Sequence, residues 1–322
     1  MSEEKKQDAR GGRNEEFRTS IGGQALIEGI LMRGPKKQAI VVRAEEGLVT
    51  KVEELKLLKD RYPIVGKPFI RGAVNFISSM TNGVRALMFA VDCMPEEERG
   101  EPSKLDAWIE KRIGAERAER ALVTVSVVIG VAISVGLFML LPTFLTGLLG
   151  AFAGGAIVRN LIEGVLRIAV FITYLWLATR LREMKRVWEY HGAEHKAIFC
   201  YEKGLELNVE NVRAQSRFHP RCGTSFMFIV MIVSILVFSV ARWSNIWLRL
   251  FLRIALLPVV VAVSYEIIKW AGRGDNAFTR VVSAPGRALQ RLTTREPDDS
   301  MIEVAIESLR LVIPEAPGED EW

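Results

Sequence analysis

Residues 121–158 read ALVTVSVVIGVAISVGLFMLLPTFLTGLLGAFAGGAIV and contain no Asp, Glu, Lys or Arg. A second uncharged block, GTSFMFIVMIVSILVFSVA, covers residues 223–241. Because about 20 apolar helical residues cross a bilayer core of about 30 Å, these blocks predict membrane-spanning helices. The chain is 25% charged and still has a mean hydropathy of +0.18, so its apolar residues are concentrated in such blocks. From the sequence we therefore exclude a soluble globular enzyme.

These blocks and the apolar segments next to them predict about four transmembrane helices. Their predicted limits are residues 121–141, 157–180, 223–241 and 247–268. Basic residues alternate along the chain: the charged helix expected over 104–120 has five Lys and Arg, the turn 142–158 has none, and the loop 180–222 has nine. Since cytosolic loops carry the excess of Lys and Arg, both termini and the loop 180–222 are expected in the cytosol. We predict a multi-pass protein of the bacterial cytoplasmic (inner) membrane, with the lipid bilayer as a partner.

The segments around the spans predict a mainly α-helical membrane protein with a small N-terminal β-hairpin and cytosolic helices. β-branched residues on both sides of Glu46-Gly47 predict strands near 38–44 and 48–53. The stretch 21–35, IGGQALIEGILMRGP, is expected to form a tight turn on the membrane surface. The predicted units are a disordered tail (1–18), a cytosolic β-hairpin with amphipathic helices (19–120), a transmembrane hairpin (121–180), a cytosolic metal-binding loop (181–222), a second transmembrane hairpin (223–268) and a cytosolic C-terminal helical segment (269–322).

All three histidines of the chain lie in the loop 181–222, within the sequences HGAEH and HPRC. His191 and His195 are four residues apart, so a helix places both imidazoles on one face. His219 and Cys222 form a second, closely spaced pair. Imidazole and thiolate are good zinc ligands, and a thiolate argues against magnesium or calcium. The four residues therefore predict a His3Cys site with zinc as the expected cofactor; buried, hydrogen-bonded histidines that bind no metal are the alternative.

The sequence is consistent with a catalytic role and with a structural role for such a metal. H-x-x-E-H is the inverted zinc-protease arrangement, and Glu194 lies about 60° round the helix from His191, where it could act as a catalytic base. Four protein ligands, in contrast, close the coordination sphere, as in structural sites. The sequence slightly favours a zinc-stabilised docking or assembly factor for other membrane proteins. The alternative is a zinc-dependent hydrolase that acts on a lipid or peptide. Nucleic acid is not expected as a partner, since no dense basic run with interleaved aromatic residues occurs.

Three polar residues, Asn160, Glu163 and Arg167, follow helical spacing inside the second predicted span. Such groups face the helix bundle or a water-filled cavity, because contact with lipid is costly. An ion pair between helices and a polar cavity are both consistent with this pattern. The cavity would allow a third function, transport.

Four blocks of the sequence resemble the YqhQ-like bacterial membrane proteins, a family of unknown function described as predicted metal-dependent enzymes. The blocks are GGQALIEGILMRGP (22–35), YHGAEHKAIFCYE (190–202), HPRCGTSF (219–226) and LTTREPDDSMIEVAIESL (292–309). The resemblance implies a metal site at His191, His195, His219 and Cys222. It implies no particular substrate.

Overall fold

The computed structural model describes residues 17–55, 58–95, 111–112, 114–149, 155–239, 246–272 and 277–322. Two sequence-based expectations fall largely outside these ranges. Of the expected disordered tail, only residues 17–18 are described. Of the charged helix expected over 104–120, residues 111–112 and 114–120 are described, with a helix that begins at Ala115.

The N-terminal part forms an antiparallel sheet in which each strand pairs with the next along the chain. Its strands are β1 (Gly22–Leu26), β2 (Gly29–Arg33), β3 (Lys37–Ala44) and β4 (Gly47–Glu54). The β3–β4 hairpin turns before Gly47, whose φ of 126° suits glycine, and confirms the predicted hairpin. Residues 21–35 do not form the expected surface turn. They form a second hairpin, β1–β2, joined by Ile27 and Glu28.

The two central strands, β2 and β3, are buried on both faces, whereas the edge strand β4 is largely exposed. Alternate residues of a strand point to opposite faces of a sheet. Ile30, Met32 and Val41 belong to a core shared with the helix of the HGAEH motif and with the C-terminal helix. Leu31 and Ile40 pack on the opposite face against the helix that follows the sheet. The sheet therefore packs between two groups of helices. On one face lie the helix of the HGAEH motif and the C-terminal helix, and on the other face lies the helix that follows the sheet.

Eleven α-helices lie within the described ranges. They are α1 (Leu58–Arg61), α2 (Ile70–Asp92), α3 (Ala115–Val135), α4 (Leu141–Leu148), α5 (Ala156–Ala178), α6 (Arg182–Glu202), α7 (Val209–Arg213), α8 (Gly223–Ser239), α9 (Ile246–Ala271), α10 (Ala277–Thr293) and α11 (Asp299–Arg310). Helix α11 begins as its sequence predicts, because the Asp298 side chain accepts a 3.0 Å hydrogen bond from the Met301 N–H.

Within the described residues, three helices are long and apolar enough to cross a membrane: Ala121–Leu148, Val158–Ala178 and Phe251–Ala271. The first is longer than the predicted 121–141. Pro142, expected to end the span, directly follows the π-helical turn Gly136–Leu140, and α3 continues through this turn into α4. The third of the four predicted spans corresponds to a shorter apolar helix, Gly223–Phe238.

The apolar helices α5, α8 and α9 pack with one another and with the amphipathic helix α10. One cluster joins Ile229 and Val233 of α8 to Val260 of α9. A second joins Phe171 of α5 to Leu289 of α10. This packing holds the start of α8 and the end of α10 close together, next to α6.

Truncating the shared core should destabilise the protein. Ile302 is fully buried, so we expect Ile302→Ala to lower the free energy of unfolding by about 2–5 kcal/mol. Leu48 on β4 is 39% exposed, and Leu48→Ala should change stability by no more than about 0.5 kcal/mol. Thermal unfolding of the detergent-solubilised protein, followed by tryptophan fluorescence, measures both. Equal melting temperatures for the two variants would contradict this packing.

Candidate metal centre

Helix α6 carries the HGAEH motif through the interior, and residues 192–198 are all buried. The rings of His191 and His195 lie on one face, with centroids 4.4 Å apart. Cys222 immediately precedes α8 and faces them: its Sγ is 3.2 Å from Nε2 of His191. The ligand atoms of these three residues all lie within 4.8 Å of one another and are buried. A single ion could contact all three.

Two backbone carbonyls fix the histidine rings. Nδ1 of His191 is 2.7 Å from the Thr293 oxygen, and Nδ1 of His195 is 2.6 Å from the Arg217 oxygen. A carbonyl can only accept, so each Nδ1 carries a hydrogen, and in the neutral form of each ring Nε2 has the lone pair. Nε2 of His195 is buried with no hydrogen-bond partner among the described residues. This is the arrangement of metal-binding histidines, whose second nitrogen donates to a carbonyl or carboxylate.

Gly192 allows the chain after α10 to pack closely against α6. A Cβ at position 192 would lie 2.0 Å from the Arg295 oxygen, so only glycine fits between α6 and the chain after α10. The Arg295 N–H donates to the Trp188 oxygen at 2.8 Å and holds the two segments in this contact. This close contact lies two residues after Thr293, whose carbonyl accepts the hydrogen bond from His191.

Electrostatics favour the ionised thiol. Burial opposes ionisation of Cys222, but the facing imidazoles of His195 and His191 bring its pKa well below the ordinary value. Burial also lowers the pKa of His191, yet the adjacent thiolate outweighs it and raises that pKa to about 9. Thr224 adds its N–H and hydroxyl at 3.5 and 3.3 Å from Sγ. A metal ion would displace the proton held between Cys222 and His191, since metal binding and protonation compete for these atoms.

Glu194 lies between the two histidines in sequence, and its carboxylate meets β1. The Gly23 N–H donates to Oε1 at 3.0 Å, while Oε2 is buried and has no partner among the described residues. Burial raises the pKa of this carboxyl group, and His191 and His195 oppose the rise only in part. Glu194 is therefore held in place through one oxygen, while the other makes no hydrogen bond with the described residues.

Lys196 holds the loop that supplies the Arg217 carbonyl, a role that the sequence analysis missed. Its buried ammonium donates to the carbonyls of Arg213 and Gln215 at 2.9 and 2.8 Å, and pairs with Glu296 at 2.8 Å. The sequence gives little indication of this role. Two partners of Lys196 are backbone oxygens, and every residue type has one.

His219 lies beside the three-residue group. Its ring packs on His195 and Phe199, with centroid distances of 5.6 and 4.6 Å, and its Nε2 faces Glu202 at 3.4 Å. Burial lowers the pKa of His219. Glu202 also pairs with Arg221. In the part of the chain that the structure describes, three of the four predicted ligands thus come together, and His219 is directed to a carboxylate instead.

The polar residues of the second predicted span face the helix bundle. Glu163 is 3% exposed and pairs with Arg167 of the same helix at 3.2 Å. Arg253 of α9 also pairs with Glu163 and donates to the Thr143 hydroxyl at 2.8 Å. Asn160 is half-buried on the same helix. The group links α4, α5 and α9 as an interhelical ion-pair cluster.

Comparison with known proteins places this chain in a family. Residues 67–315 match the family described as "Protein of unknown function (DUF1385)". The chain belongs to this family. It is 34% identical over 296 residues to the uncharacterized protein YqhQ of Bacillus subtilis (strain 168), a match that covers 90% of this chain and 91% of that protein. No solved structure matches it significantly. The resemblance to YqhQ-like proteins is thereby confirmed.

The contact between Glu194 and β1 predicts different effects for two adjacent glycines. A Cβ at Gly23 would lie 2.8 Å from the Leu31 oxygen and 3.0 Å from Cδ of Glu194, whereas a Cβ at Gly22 meets nothing within 4 Å. We expect Gly23→Ala to cost about 1–3 kcal/mol of stability through overpacking, and Gly22→Ala to cost little. Melting temperatures of the two variants test this. A larger effect at Gly22 would contradict the position of Glu194.

Proposed function

We propose that this protein is a membrane-embedded, metal-dependent hydrolase whose centre is formed by His191, His195 and Cys222, with zinc as the expected ion. The observation that carries the proposal is the fixed orientation of both histidines, whose free Nε2 atoms meet a thiolate. Three protein ligands leave a coordination position open, as in catalytic zinc sites. The sequence slightly favoured a docking factor because it predicted four ligands, and the smaller group shifts the balance towards the enzyme.

The bound ion, Glu194 and Gly23 have different roles in the proposed hydrolysis. A divalent ion held there supplies Lewis acidity, which polarises a carbonyl and makes water acidic enough to attack near neutral pH. Glu194 interacts electrostatically with His191, His195 and Cys222, and burial raises its pKa, so this carboxylate would accept a proton more readily than an exposed one. Gly23 holds the carboxylate in place through Oε1, so the proton is exchanged at Oε2.

We propose a lipid or a membrane-exposed peptide at the cytosolic leaflet as the substrate. Cys222 directly precedes the apolar helix α8, and Thr293 ends α10, which packs on the same bundle. The proposed centre therefore adjoins the ends of apolar helices. The alternation of basic residues along the chain supports a cytosolic location of the proposed centre and of both termini. The apolar helices would then lie in the inner membrane.

A docking or assembly role for other membrane proteins is the second candidate. What favours it is the burial of all three ligand atoms at a point where α6, α8 and the chain after α10 meet. A metal there would fasten these elements together without any reaction. Transport, the third possibility, gains no support from the Glu163 cluster. Its two arginines share the one carboxylate and donate their other hydrogen bonds to groups within the bundle, at Phe138, Ser234 and Thr143.

The ligand assignment predicts which variants lose the metal. We expect about one transition ion per chain in the purified protein, bound by two imidazole nitrogens, one thiolate and at least one exchangeable oxygen. His195→Ala and Cys222→Ser should lose the ion, and His219→Gln should keep it. Elemental analysis and X-ray absorption at the metal edge measure content and ligands. A closed shell of three nitrogens and one sulfur would restore His219 as a ligand and favour the docking role.

The role of Glu194 predicts a loss of activity without loss of metal. Removing a general base typically costs 10²–10⁴-fold in rate, so Glu194→Gln should lower turnover about that much while retaining metal and melting temperature. Glu183→Gln is the matched control, because Glu183 is exposed on the same helix. Hydrolysis of ester and peptide substrates presented in phospholipid vesicles is the readout. Equal rates for the two variants would contradict a catalytic Glu194.

A further inference from the structure

An exposed apolar segment connects the sheet to α2. Residues 58–71 read LKDRYPIVGKPFIR, and every residue from 58 to 70 except Val65 and Gly66 is exposed. The most exposed large side chains are those of Ile64 and Phe69, at 58% and 56%. Leu58, Tyr62 and Ile70 are also exposed large residues. Contiguous apolar surface of this kind marks an interaction site.

Basic residues are interleaved with these apolar side chains. Lys59, Arg61 and Lys67 are exposed, and Asp60 is the one acidic residue of the segment. Arg61 lies over the Tyr62 ring, 5.4 Å from its centroid. Exposed aromatic and aliphatic groups beside lysine and arginine form the composition that binds the headgroup region of anionic membranes.

The segment lies beside the end of a candidate membrane span. Arg71 pairs with Glu266 of α9 through two hydrogen bonds of 2.8 and 2.5 Å. One residue on, a Cβ at Gly72 would lie 2.8 Å from Cβ of Tyr265, so α2 approaches α9 closely at this point. Glu266 is five residues before the end of the apolar helix Phe251–Ala271. These contacts place the C-terminal end of the segment, from Phe69 to Arg71, beside the last two turns of the apolar part of α9.

Phe69 combines an exposed ring with a strained backbone. Its φ is 68°, a value uncommon for a bulky residue, and its N–H donates to Oε1 of Glu266 at 3.2 Å. Strain of this kind persists only where the surroundings enforce it, and it is concentrated at functional positions. Glu266 therefore fixes both Arg71 and the turn that carries Phe69.

We propose that residues 58–71 are a membrane anchor. Leu58, Tyr62, Ile64 and Phe69 insert into the leaflet in which α9 ends, and Lys59, Arg61 and Lys67 bind the phosphates of its anionic phospholipids. The exposed apolar side chains of Ile77 and Met80 extend this surface along α2. The proposal rests on α9 crossing the bilayer, as proposed above, and is independent of the metal.

Quenching by brominated lipids tests the anchor on the full chain. A thiol-linked fluorophore is placed at Phe69→Cys in a Cys93→Ser background, because the other two cysteines are buried. The protein is reconstituted in phosphatidylcholine nanodiscs with and without phosphatidylglycerol. With brominated acyl chains we expect the label to lose most of its emission, more so with phosphatidylglycerol. A label at Glu46→Cys, in the exposed β3–β4 turn, should keep its emission.

A label at Val259→Cys, 49% exposed on α9, separates the two proposals. Quenching at 259 without quenching at 69 overturns the anchor alone, and a protein partner would then be the occupant of the surface. Emission retained at both positions overturns the membrane placement of α9 and the anchor with it.

Charge variants test the phospholipid contact. Replacing Lys59, Arg61 and Lys67 together by Gln should abolish the additional quenching at position 69 that phosphatidylglycerol produces. The matched control replaces three exposed lysines by Gln: Lys37 and Lys51 of the sheet and Lys36 of the turn between β2 and β3. Equal loss in both triple variants would overturn the assignment of the phosphate contacts to residues 58–71.

Discussion

The hydrogen bonds from His191 and His195 to two backbone carbonyls are the contacts on which the rest of the site depends. They set the tautomer of each imidazole and direct both free nitrogens at Cys222. The carbonyls come from segments far apart in sequence, before α8 and at the end of α10. The site therefore forms only when the apolar bundle and the core shared by the sheet, α6 and α11 have both folded.

The polar side chains of α6 point in different directions and contact different elements of the structure. The two histidines face Cys222, Glu194 faces β1, and Lys196 faces the loop before Arg217. Each polar group is buried, so each needs its own partner from another element. Because those partners include backbone N–H and C=O groups, the surrounding segments must be placed accurately, and the glycines at positions 23 and 192 allow that close placement.

Features encoded by neighbouring residues could be predicted from the sequence. The β3–β4 hairpin, the capped start of α11 and the pairing of His191 with His195 all depend on positions a few residues apart. The β1–β2 hairpin was missed because its strands have five residues each and contain glycines, which weaken the strand pattern. The short spacing of His219 and Cys222 suggested a shared ion. In the fold, Glu202 faces His219, and nothing in the local sequence encodes that contact.

The ion-pair cluster around Glu163 has a mechanical consequence. Its one carboxylate is shared by guanidinium groups from two helices, inside an apolar bundle. Sliding α5 along α9 would pull opposite charges apart in a medium of low dielectric constant, where their attraction is strong. The bundle should therefore behave as a stiff frame, and any motion that admits a molecule to the centre must come from the loops and helix ends mounted on it.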